Sequence, residues 1–121
     1  MSGNKIALYD AFGELLYVLA KADGEIQKEE VQELEKILKA HPWSKEIIWS
    51  FNYEAKKEND LEELYQKVLH ACFDLGPDPE YQFMVEVLEA VAESSLGVVE
   101  EERALIDRFQ KDLVEEFKKR P

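Results

Sequence analysis

Leu19-Ala20-Lys21-Ala22-Asp23-Gly24-Glu25-Ile26-Gln27-Lys28-Glu29-Glu30 reads as the end of one helix, a turn and the start of another. Gly readily takes the left-handed conformation that follows a helix end, so Asp23-Gly24 stops the first helix. Gln27 is a poor N-cap, but Glu30 stands three residues on, where a capping-box Glu sits, and Ile26 and Val31 have the spacing of a hydrophobic staple. Working back, Ile6, Tyr9, Phe12, Leu15, Leu16, Leu19 and Ala20 recur at three- and four-residue steps, predicting a helix from about Lys5 to Ala22. Working forward, Val31, Leu34, Ile37 and Leu38 form the stripe of a second helix that ends before Pro42.

The same pattern returns 72 positions later, where Ser95 stands for Asp23 and Glu102 for Glu30. Leu16 pairs with Leu88, Leu19 with Val91, Ala20 with Ala92, Ile26 with Val98 and Leu34 with Ile106. Val31 against Arg103 and Glu33 against Leu105 break the match. Apolar stripes alone align any two helical hairpins. The paired acids Glu29-Glu30 and Glu101-Glu102, at one fixed place, argue for common geometry.

Between the hairpins lie two more helices. Ser44 is a candidate cap for the third, with Ile47, Ile48 and Phe51 inward. Asp60 and Glu63 make a capping box for the fourth, whose apolar face runs through Leu61, Leu64, Tyr65, Val68, Leu69, Cys72 and Phe73 to a stop at Gly76. Asp78-Pro79 opens the fifth as a cap followed by proline at the first helical position. That helix turns Phe83, Met84, Val87, Leu88, Val91 and Ala92 inward. The sixth starts near Glu100 and uses Leu105, Ile106, Phe109, Leu113 and Phe117. With no convincing strand and short connections, residues 1–121 read as one all-α domain, a bundle of about six helices with two pseudo-repeated hairpins.

The turn at Ala20 to Glu30 resembles the hallmark of TerB-like domains, Ala-x-Ala-Asp-Gly-x-Ile-x-x-x-Glu. The resemblance implies a helical bundle in which this element occurs twice, and both halves together cover most of the chain. It also implies a non-enzymatic role in stress-linked, often membrane-associated assemblies such as those of tellurite resistance. Related domains stand beside co-chaperone J-domains. The second copy departs from the pattern: Ser95-Leu96 replaces Asp-Gly, and Gly97 comes one place late. The chain thus carries the acidic turn of the pattern once, not twice.

The net charge of −12 repels phosphate backbones, which argues against nucleic acid. The same field favours cations and basic partners, though acidity also serves solubility alone. One cysteine, Cys72, rules out a disulfide within the chain. No apolar run is long enough to span a membrane, and Met1 to Lys5 does not open a signal peptide, so the expected location is cytoplasmic.

Asp23, Gly24, Ile26 and Glu30 fall at four positions of an EF-hand loop. Leu19 and Lys21 occupy two positions where calcium needs acids, so the cage is half missing. A weaker calcium or magnesium site at Asp23, Glu29, Glu30 and Glu102 remains as an alternative, if the hairpins set their turns together. Capping and the helix dipole explain the same acids without a metal. His41, His70 and Cys72 have no zinc spacing. His70 and Cys72, two apart on one helix, point to different faces, and Cys72 continues the apolar stripe as a core thiol. No phosphate-binding loop is present.

Trp43 to Tyr53 is dense in aromatics. Trp49 and Tyr53 lie four apart, off the stripe of Ile47, Ile48 and Phe51. Exposed, they form a patch for a protein partner; buried, they pack under the connection that follows. The function expected is an acidic protein-interaction module without catalytic activity, with weak divalent-cation sensing as the alternative.

Overall fold

The computed structural model describes residues 2–22, 28–57, 60–94 and 100–119. They form α1 (Ser2–Lys21), α2 (Lys28–Leu38), α3 (Ser44–Ala55), α4 (Leu61–Leu75), α5 (Glu80–Glu93) and α6 (Glu100–Lys118), with no strand among them. The chain is thus the all-α bundle that the apolar spacing predicts. No helix among the described residues is long and apolar enough to cross a membrane. The turns at Asp23-Gly24 and Ser95-Leu96 lie outside the described residues.

α1 is the central helix. Every residue from Ala11 to Ala20 is buried, Glu14 included, because α3, α4, α5 and α6 all pack on it. One stripe is therefore too narrow a description. Ala11, Tyr17 and Val18 lie off it and are buried, whereas Ile6, on the stripe, is 41% exposed one turn ahead of the enclosed stretch. A helix apolar on most sides carries little directional signal.

α1 and α3 run side by side in the same direction. Tyr9 stacks on Trp43 with ring centroids 5.0 Å apart, and Tyr17 meets Phe51 edge to face further along. Between these contacts Gly13 backs directly onto the stretch from Ile47 to Phe51. Ser50 Oγ donates to the Asp10 carbonyl at 2.7 Å and closes the seam.

α2 packs on α5 and α3, with Leu34 and Leu38 inward. α6 packs on α4, α5 and α1 through Ile106, Phe109 and Leu113. Leu16, Ala20, Glu30 and Leu34 are buried, as are Leu88, Ala92, Glu102 and Ile106, whereas Ile37 is half-buried and Phe109 fully buried.

Of the three expected caps, Asp60 forms as expected, whereas the cap position of α5 falls on Pro79, one residue past Asp78, and Ser44 fails. The Asp60 side chain accepts from the Glu63 N–H at 3.0 Å, and Gly76 ends α4 with φ of 87°, which favours glycine. Asp78 Oδ1 accepts from the Glu80 N–H at 2.8 Å, and Pro79 is already helical with φ −61° and ψ −17°. Ser44 does not cap α3. Trp43 holds that position without a side-chain cap, because its N–H is bound by His41 Nδ1 at 3.0 Å and its ring by Tyr9. Aromatic packing, not a hydroxyl cap, organises this start.

Candidate functional site

α3 has two unlike sides. Ile47, Ser50, Phe51 and Glu54 are buried and Glu46 is half-buried, so both acids of the helix turn toward the bundle. The outer side presents Lys45, Trp49, Asn52, Tyr53 and Lys56, all exposed. Trp49 is 60% exposed and Tyr53 44%, which excludes packing beneath the α3–α4 connection. Their rings stack with centroids 5.3 Å apart and only 7° between planes. Lys57 Nζ lies 4.6 Å from the Tyr53 centroid, a cation–π contact. A pre-stacked, exposed aromatic pair loses little side-chain freedom when covered, which suits it to recognition.

Beneath this face lies an acidic seam. Lys67 of α4 donates to Glu14 Oε2 at 2.7 Å. Asp10, also on α1, faces the Glu46 carboxyl from α3. Burial, then the hydrogen bond with Glu46 and the charges of Glu46 and Glu14, push the Asp10 carboxyl up to about 7; Lys67 opposes them. Asp10 therefore keeps its proton well above the ordinary carboxylate range.

That proton makes a stability prediction. Folded Asp10 keeps its proton above the ordinary value of 3.8, at which the unfolded chain releases it. Its contribution is therefore fully present below about pH 4 and is lost as pH rises toward 7. Glu62, which Arg108 holds down to about 2, acts in the opposite sense and only at more acid pH. Asp10→Asn is expected to be more stable than the parent at pH 8, with the gap closing toward pH 4. Urea midpoints at pH 4, 6 and 8 read this directly, and a gap independent of pH removes the raised Asp10 proton from the account.

The residues considered for a cation do not assemble among the described residues. Glu29 is exposed, Glu30 and Glu102 are buried, and Asp23 lies outside what is described. No group of three or more potential metal ligands occurs among the described residues. Neither carboxylate oxygen of Glu102 accepts a hydrogen bond. Cys72, on the inner face of α4, is fully buried, and burial pushes its thiol up to about 12, as befits a core residue. His70 is exposed.

Sequence reasoning missed two polar junctions. Glu80 of α5 accepts from Tyr9 OH, and His41 Nε2 lies 3.1 Å from the same oxygen. His41 Nδ1 is already an acceptor for Trp43, so Nε2 is the donor to Glu80. The junction ties the α2–α3 turn to α1 and α5. In the second, Arg108 pairs with both Glu62 oxygens at 2.8 and 2.6 Å and lies 4.1 Å from the Tyr65 ring centroid, while Tyr65 OH donates to Asp112. Neither junction has a sequence signature, because each joins residues at least 39 positions apart except within α6 and the turn.

One further concavity is apolar. A groove of about 460 Å³ runs between α5 and α6 over Val85, Leu113 and Phe117, with half-exposed Val114 on its rim.

Compared with protein-family models, curated proteins and solved structures, the chain matches none.

Proposed function

We propose that the chain is a non-enzymatic protein-interaction module of the TerB-like type that holds its partner on the outer face of α3. The observation that carries the reading is the Trp49/Tyr53 stack, exposed on a helix whose opposite side is locked into the bundle. Large aromatics left in water on a well-anchored helix supply binding energy that salt does not screen. The TerB-like assignment rests on the resemblance carried by the residues from Ala20 to Glu30. With it comes the stress-linked setting, in assemblies that include membrane-associated proteins.

Trp49→Ala tests the reading. Partners retained by the tagged chain from its native cell are expected to weaken by about 2 kcal/mol or more, roughly 30-fold, at every salt concentration. Helicity should stay unchanged, because the ring is mostly in water. Partners insensitive to Trp49→Ala but lost on Val114→Asp place docking in the α5–α6 groove instead. Unfolding of Trp49→Ala returns the ring to the core and ends the proposal.

A further inference from the structure

The net charge of −12 favours basic partners for the molecule as a whole, yet α3 reverses that preference locally. Its two acids, Glu46 and Glu54, face inward, and Glu54 is 4% exposed. Its cations face outward: Lys45 one turn before Trp49, Lys56 three residues after Tyr53, and Lys57 over the Tyr53 ring. The exposed positions of α3 itself are Lys45, Trp49, Asn52, Tyr53 and Ala55, and none is acidic. Lys56, just past its end, adds a second cation beside the aromatic pair, while Lys57 lies 3.9 Å from Glu54 Oε1 and is already paired.

We propose, building on the reading of α3 as the docking face, that this face takes a short acidic segment of a partner protein carrying an apolar side chain. The apolar group covers the Trp49/Tyr53 stack, and carboxylates on either side meet Lys45 and Lys56. The size of the patch selects this occupant. Fields in physiological salt fade over roughly 8 Å, so a ligand confined to the face feels the lysines and little of the remaining acids. An anionic bilayer is a broad surface that also meets the acidic rest of the molecule. A nucleic acid meets the same repulsion along its length. A second copy of the chain brings its own charge of −12 to the contact. A short acidic segment avoids all three penalties.

The test uses the full chain and isothermal titration calorimetry. The probes are a 12-residue peptide (~12 residues matches one α3-length face) of alternating Glu and Leu, the same peptide with Lys for Glu, and vesicles of phosphatidylcholine and phosphatidylserine. The Glu peptide is expected to bind and to weaken as salt rises. Lys45→Glu combined with Lys56→Glu should weaken it about tenfold at low salt, since each reversal turns an attraction of an exposed pair into a repulsion. Both lysines are exposed, so thermal unfolding of this double variant should match the parent. Trp49→Ala separates the two levels of the proposal. If Trp49→Ala abolishes peptide binding while the lysine reversals change nothing, the docking face stands and its acidic preference falls. If Trp49→Ala leaves binding intact, the docking face itself falls. No binding of the Glu peptide, tighter binding of the Lys peptide, or binding of the vesicles in preference to either peptide overturns the inference.

Discussion

Phe12→Ala is expected to cost the fold about 3–5 kcal/mol, the range for removing a buried aromatic ring. Phe12 is fully enclosed at the middle of α1, with Phe83 of α5 edge to face at 6.1 Å. The cost depends on how far neighbours collapse into the space left behind. Here they are held from several sides, because α3, α4, α5 and α6 all pack on α1 and on one another's neighbours. Domains of this kind have total stabilities of about 5–15 kcal/mol, so the variant stands near the edge of folding. Urea denaturation measures it. A loss below about 1 kcal/mol is incompatible with Phe12 at the centre of the bundle.

Gly13→Ala is expected to destabilise by about 3 kcal/mol, at the upper end of the range for overpacking. Alanine normally gains about 1 kcal/mol over glycine inside a helix, so propensity alone predicts the opposite sign. A Cβ at position 13 comes within 2.4 Å of the Ile47 carbonyl oxygen, 2.6 Å of Ser50 Cβ and 2.9 Å of the Phe51 nitrogen. Two of these are backbone atoms of α3 and cannot rotate away. α3 must move off α1, which opens the Ser50–Asp10 hydrogen bond and the Tyr17–Phe51 contact with it. Because α3 carries Trp49 and Tyr53, the same variant should also weaken partner binding. An alanine variant more stable than the parent requires α1 and α3 to lie further apart.

Much of the fold was legible in the chain because helices write local signals. The three- and four-residue spacing of Leu34 and Leu38, or of Ile106, Phe109 and Leu113, depends only on helix geometry. The Asp60 cap, the Gly76 stop and the Asp78-Pro79 start are short-range chemistry, decided within four residues. The place of Trp49 and Tyr53 off the apolar stripe of α3 was readable in the same way. Their spacing four apart could not say whether the far side of the helix met water or another element. Ser44 shows the limit of local rules, since a plausible cap lost to the aromatic packing of Trp43 on Tyr9.

By itself, then, the sequence determined six helices, most of their inward faces and the acidity of the whole, since each follows from spacing within a few turns or from a count. Only the tertiary structure decided which helix sits at the centre, which acids lie buried and where charge changes sign. α1 is nearly apolar all round, so no moment within it names its neighbours; four helices closing on it do. Gly13 looks like an ordinary helical glycine until α3 lies against it. Asp10 meets Glu46 across 36 positions of chain, and the packing of α3 on α1 sets Glu46 and Glu54 inward and leaves the lysines beside Trp49 and Tyr53. Burial and pairing across helices depend on contacts between distant parts of the chain, which no local pattern encodes.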